Sequence, residues 1–167
     1  MKHNSARCLI LACGNTLRGD DGVGPWLSAW AEDRFAADPA VRLIARQQWT
    51  PDLAADIAQT DSVLFIDCSV DSAPGEVRLA PVEPIPAGPG LASHHVGAPE
   101  LLALSKELFD SLPRNALLLT IGVESIELGE TLSTQVMASM PAACKVLEKA
   151  VRGFLADFDP ADTDRDA

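Results

Sequence analysis

Three aspartates and a pair of histidines are the residues best placed to do chemistry. Asp20 and Asp21 sit side by side in CGNTLRGDDGVGPW (13–26), with Gly19 and Gly22 around them. Asp67 closes the apolar run SVLFID (62–67), and His94, with His95 beside it, follows PVEPIPAGPG (81–90). Adjacent carboxylates repel, so two at one turn need a reason. Helix capping explains one of them, because an aspartate at a helix start accepts backbone N–H bonds and meets the positive end of the helix dipole. It does not explain the second, nor glycines that give up backbone entropy for room or for positive φ. Asp67 taken alone suits a turn residue bonded to its own loop. His94 taken alone suits the start of the next helix. Two carboxylates and an imidazole projected into one crevice suit a divalent metal of intermediate softness, such as Ni²⁺ or Zn²⁺.

The segments that must position these groups alternate. RCLILAC (7–13), VRLIARQQ (41–48), SVLFID (62–67), EVRLA (76–80) and ALLLTIGV (116–123) read as strands, the apolar ones as strands buried on both faces. Between them, 24–35 carries Leu27, Trp30 and Ala31 at helical spacing, and 51–59 is a short helix with Pro51 in its first turn and Thr50 as its cap. Residues 96–110 form a helix with Leu101, Leu104 and Leu108 on one face and Pro99 in the first turn. In 133–155, Val136, Met140, Cys144, Leu147, Val151 and Phe154 recur every three or four residues, which predicts a helix with Met137 and Met140 in the core. Pro141 should kink that helix or mark a late start. The alternation predicts an α/β fold, a three-layer α/β/α sandwich whose mostly parallel sheet has about five strands, with EVRLA antiparallel at an edge. In such sheets ligands bind beyond the carboxyl ends of the strands, where Asp20, Asp21, Asp67 and His94 fall. The expected division is a single domain over 1–155 and a mobile acidic tail over 156–167.

Bulk composition narrows the function. Twenty-four acidic against 13 basic residues leave a formal net charge of −11, which argues against nucleic acid and anionic membrane surfaces as partners. The apolar runs are too short to span a bilayer, and the N-terminal residues lack the apolar region and cleavage site of a signal peptide. A cytoplasmic location is expected. Cys8, Cys13, Cys68 and Cys144 make no CxxC pair and read as buried free thiols. Cys68 follows Asp67 and lies near any site there, but no neighbouring His or Lys would activate it as a nucleophile. GNTLRG is not GxGxxG, and the chain has no GxxxxGK(S/T) loop, GxSxG elbow or HExxH pair, so nucleotide, serine-hydrolase and zincin chemistries fit poorly.

At these residues the sequence resembles the NiFe-hydrogenase maturation proteases, endopeptidases that trim the C-terminal extension of the hydrogenase large-subunit precursor. LILACGNTLRGDDGVGP resembles the family's opening strand and its acidic turn. VLFIDCSVDSAPGEVRL resembles its central strand and Pro-Gly-Glu return. SHHVGAPELLAL resembles its histidine loop and helix, and IGVESIELGETLS its late strand and polar loop. The four blocks occur in the family's order and cover roughly 7–155. The resemblance implies Asp21, Asp67 and His94 as catalytic metal ligands, His94 being preferred over His95 for its spacing to Gly97, and leaves Asp20 to the helix start. It implies nickel supplied by the loaded precursor, no organic cofactor, and that precursor as partner; a monomer is expected, although the sequence does not fix the oligomeric state, since Trp26 and Trp30, one helical turn apart, suit either core or interface. Gln47-Gln48-Trp49-Thr50-Pro51 stands where relatives carry an Asp-Gly-Gly-Thr loop tied to substrate contact, a departure that bears on which hydrogenase is processed. Two other readings stay open: a nickel-checking chaperone that binds the precursor without cutting it, and a diverged α/β hydrolase or phosphorylase acting on a small molecule.

Overall fold

Residues 8–12 and 62–66 are buried on both faces, and this two-sided burial forces the layered architecture. The computed structural model describes residues 6–86, 88 and 96–157. Five strands, β1 (Cys8–Cys13), β2 (Val41–Arg46), β3 (Ser62–Ser69), β4 (Val77–Pro81) and β5 (Asn115–Gly122), form one sheet in the order β2-β1-β3-β5-β4. The first three pairings along that order are parallel, and β4 closes the edge antiparallel to β5. Four helices cover the sheet: α1 (Val23–Phe35), α2 (Leu53–Ile57), α3 (Ala98–Phe109) and α4 (Thr134–Ala156). A short 3₁₀ turn, Gly19–Gly22, precedes α1.

The strand period of two sorts the core into two halves. Cys8, Ile10, Ala12, Leu64 and Ile66 pack with α1 and α4 on one face. Leu9, Leu11, Val63 and Phe65 pack with α2 and α3 on the other. This is the expected α/β/α sandwich. The antiparallel edge follows from the Pro74-Gly75-Glu76 turn, where Gly75 at φ +79° hydrogen-bonds through its amide to the Gly122 carbonyl. No helix among the described residues is long and apolar enough to cross a membrane.

Several local expectations shift. β3 runs two residues beyond Asp67, to Ser69. In α3 the buried residues are Ala98, Leu101, Leu102 and Ser105, while Leu108 is 61% exposed; the Ser105 hydroxyl bonds the Ser111 carbonyl, so a polar residue occupies the inward position that a purely apolar stripe would miss. α4 begins at Thr134 and continues across Pro141, which lies on the solvent face between the buried Met140 and Ala143. The helix is held there by its packed face rather than by the one amide that Pro141 lacks. Met140 is buried as expected, but Met137, one residue past Val136 and so rotated about 100° from the core stripe, is 44% exposed. Thr50 serves α2 through its backbone, its carbonyl accepting from the Leu53 amide, and no side-chain cap bond forms. Residues 158–167 of the acidic tail lie outside the described residues.

Gly24 fixes how closely α1 approaches the sheet. A Cβ there would stand 2.0 Å from the Cys13 carbonyl oxygen, so only glycine lets the first turn of α1 press on the end of β1. Gly24→Ala is expected to destabilise the protein by about 1–3 kcal/mol, as overpacking does, lowering Tm by several degrees in a thermal melt. An unchanged Tm would show that α1 can move away freely.

Candidate functional site

The strand order 2-1-3 reverses direction at β1 and β3, and the crevice beyond their carboxyl ends is where an open α/β sheet gathers functional groups. The chain leaving β1 turns sharply there. Gly14, at φ +147°, has room for no side chain, because a Cβ would stand 2.1 Å from the Asp21 carbonyl oxygen. The turn therefore folds back on itself and brings Asp21 over the strand ends. The Asn15 amide donates to Asp21 Oδ2 at 3.0 Å, which fixes the carboxylate from one side.

Asp20 and Asp21 part company completely. Asp20 is 1% exposed. Its carboxylate accepts from the amides of Glu124, Ser125 and Ser133 and from the Ser133 hydroxyl, at 2.6–3.2 Å. Ser133 in turn caps α4, its hydroxyl accepting from the Val136 amide. Burial pushes the Asp20 carboxyl up, but these donors outweigh it and hold the group below the ordinary carboxylate range. Asp20 thus does not cap its own helix. Neither Arg18, before the 3₁₀ turn, nor Gly22, before α1, makes a side-chain cap bond. The carboxylate instead ties the turn to the loop after β5 and to the start of α4, more than 100 residues along the chain. Four donors converging on one buried carboxylate stabilise a contact that a single cap bond would not.

Asp21 faces the crevice, where it meets Asp67 and Cys68. Each of the three offers a ligand atom within 4.8 Å of the other two. Cys68 Sγ donates to Asp21 Oδ1 at 3.3 Å, and the Cys68 amide donates to Asp67 Oδ1 at 2.8 Å. Neighbours along a strand point to opposite faces, so Asp67 and Cys68 meet only because Asp21 lies over the strand end. Burial pushes the Asp67 carboxyl up to about 6; the Cys68 amide opposes this and the Asp21 charge adds to it. His94, expected as the third ligand, and His95 lie outside the described residues.

Two of the four cysteines are not simple core thiols. Cys8 and Cys144 are buried, whereas Cys13 and Cys68 are half-buried at the crevice. All four are free. Burial, then the charges of Asp67 and Asp21, push the Cys68 thiol well above its usual range; burial followed by Asp67 lifts Cys13 to about 12. Neither is a ready nucleophile, as expected for Cys68. A cation bound between the carboxylates reverses that electrostatic balance and makes the sulfur a donor. Beside Asp67 a cleft of about 230 Å³ opens between Cys13, Gln48, Trp49, Val96 and Gly97. Sequence reasoning did not single out Cys68 as a ligand or Trp49 as a wall. The signals were the Asp-Cys adjacency and the Trp in the departing loop, and neither speaks without the fold.

Two carboxylates and a thiol at this spacing repel one another when charged and suit a divalent cation of borderline softness. The free protein should show the strain. Asp67 binds its proton more tightly folded than unfolded, so between pH 3.8 and about 6 the folded state holds more protons and stability falls as pH rises. Asp67→Asn is therefore expected to raise stability at pH 7.5 by about 1–3 kcal/mol, with no gain near pH 3.5. Melts across that range check this; a wild type more stable than the variant at pH 7.5 would refute it.

Comparison with known proteins gives a consistent picture. The HycI hydrogenase maturation protease family model matches residues 32–150. A search of curated proteins returned no match. Among solved structures, the hydrogenase maturating endopeptidase HybD from E. coli is similar in fold at a TM-score of 0.68 and 23% identity, over 88% of this chain and 93% of that one. A hydrogenase 2 maturation peptidase from a Thaumarchaeota archaeon aligns at TM-score 0.64 and 27% identity, over 87% and 97%. The NiFe hydrogenase maturation protease HybD from Thermococcus kodakarensis aligns at 0.63 and 28%, over 86% and 98%.

Proposed function

The chain belongs to the hydrogenase maturation protease family and is a peptide hydrolase of hydrogenase maturation, and from that premise we propose that it removes the C-terminal extension of a NiFe-hydrogenase large-subunit precursor after nickel insertion, reading the bound nickel through Asp21, Asp67 and His94. The observation that carries this reading is the meeting of Asp21 and Asp67 at the carboxyl ends of β1 and β3, with Cys68 as a further donor. A three-ligand site lacks the closed four-ligand shell of a structural metal. It suits an ion that arrives with the substrate and leaves with the product.

Asp21 and Asp67 complete the coordination of an exposed nickel, and the relief of their mutual repulsion favours a loaded precursor over an empty one. Nickel beside the scissile carbonyl supplies Lewis-acid polarisation. The residues of the chain supply placement. Asp20 holds the turn rigid, Asn15 orients Asp21, and the Cys68 amide orients Asp67, so the reacting bond meets donors already in position. Exposed Leu17, Val70 and Leu128, at 53%, 66% and 91%, lie in the loops after β1, β3 and β5 and give the rim an apolar character suited to a protein partner.

The family assignment carries peptide hydrolysis, which sets aside a chaperone that binds without cutting. Incubation with nickel-loaded and nickel-free precursor tests the finer reading. Mass spectrometry should detect the released C-terminal peptide from the loaded form only. Asp21→Asn is expected to slow that release at least about 100-fold, because it removes one charged donor and keeps the Asn15 contact. Cleavage at the wild-type rate by Asp21→Asn, or equal cleavage of nickel-free precursor, would sink nickel-guided recognition.

A further inference from the structure

We propose that the cleft beside Asp67 is a subsite for the precursor's main chain, and that the indole N–H of Trp49 is the donor that binds a peptide carbonyl there. The inference rests on the proteolytic reading above and adds a binding residue to it. Trp49 is 6% exposed and forms one wall of the cleft of about 230 Å³ that also contains Asp67. Among the described residues its Nε1 is the buried side-chain polar atom that has no hydrogen-bond partner. Buried donors are nearly always satisfied, and leaving one open costs stability, so such a group points to a partner that arrives later.

The surroundings define that partner. The indole ring packs edge-on against Phe65, with centroids 5.3 Å apart and planes at 69°, and Phe65 belongs to the fully buried core. The ring therefore cannot swing out to find water. The segment is held at both sides: Cys13 Sγ donates to the Gln47 carbonyl, and the Leu53 amide donates to the Thr50 carbonyl. For an acceptor in the cleft to reach the N–H, the ring edge would tilt toward it while the two backbone anchors stay in place. Asp67 gives the cleft a negative field, which disfavours an anionic acceptor such as a carboxylate or phosphate. Cys13, Val96 and Gly97 supply weakly polar walls, and Gln48 adds a neutral amide. A neutral acceptor remains, and the carbonyl of an extended peptide running past Asp67 is the one that a protease substrate brings. A bond there sets the register of the chain relative to Asp21 and Asp67.

Two variants of the full chain test this. Trp49→Phe removes the N–H and keeps an aromatic ring against Phe65. Site-specific replacement of Trp49 by β-(3-benzothienyl)alanine removes only the N–H and keeps the bicyclic shape. With nickel-loaded precursor, both are expected to lose roughly tenfold in kcat/KM, mainly through KM. Tm is expected unchanged or higher in the benzothienyl variant, whereas Trp49→Phe also leaves a cavity that lowers it. Wild-type kcat/KM in both variants, or a lower Tm with unchanged kinetics in the benzothienyl variant, would overturn the assignment and make the N–H structural. An independent readout is the Trp49 indole N–H resonance, identified by its loss in Trp49→Phe, on addition of a synthetic peptide spanning the precursor's cleavage site. A downfield shift is expected, and an unmoved resonance overturns the proposal. Failure of the wild-type protein to cleave loaded precursor would count against the proteolytic reading alone, because the resonance still decides the role of Trp49.

Discussion

One buried carboxylate holds the functional end of the molecule together. Asp20 accepts four hydrogen bonds from the loop after β5 and from Ser133 at the start of α4. Through Ser133 it reaches the cap of the longest helix, and through its own backbone it fixes the turn that carries Asp21. The amides of Gly19 and Asp20 add bonds to the carbonyls of Gly129 and Ser125, so the turn and the loop form one unit. A carboxylate this buried is tolerable only when its acceptor sites are filled. Filling them from two places in the chain, the loop after β5 and the start of α4, turns a costly group into a joint. Everything placed by that joint, Asp21 above all, inherits its rigidity.

The adjacent residue has different surroundings. Asp21 is left within reach of a second carboxylate, Asp67, whose burial pushes its pKa up to about 6. Asp20 is held by four donors, whereas Asp21 accepts from the Asn15 amide and the Cys68 thiol and lies beside Asp67. The first stabilises the scaffold, and the second places one carboxylate next to another at the switch point, a local cost. Trp49 repeats the pattern with a neutral group, an indole N–H left without a partner beside the same crevice. Sites that bind something often carry such local costs, offset by packing elsewhere.

Much of this was legible in the sequence because it is local or periodic. Two-sided burial made β1 and β3 apolar runs, and the stripe from Val136 to Phe154 announced α4 and its buried face. The Pro74-Gly75-Glu76 turn made the antiparallel edge readable. What failed to show was non-local. The partners of Asp20 lie 104 to 113 positions away, so its role looked like an ordinary cap. Leu108 and Ser105 exchanged places because a serine satisfied by the Ser111 carbonyl can be buried. Cys68 read as a free thiol near Asp67 with no His or Lys beside it, and its carboxylate partner, Asp21, arrives from the turn after β1. The opening motif divides, as expected, into a buried aspartate and one that faces the crevice, though the buried one ties a loop and α4 to the turn rather than capping its own helix.

The most direct measurement is X-ray absorption at the nickel edge. The sample is nickel-loaded precursor, alone and in complex with the protease, with cleavage blocked by placing a proline immediately after the scissile bond. If Asp21 and Asp67 engage the metal, the nickel shell gains oxygen donors on complex formation, and the gain disappears with Asp21→Asn and Asp67→Asn. A nickel shell that is the same in the complex as in free precursor would contradict recognition of the metal by these carboxylates.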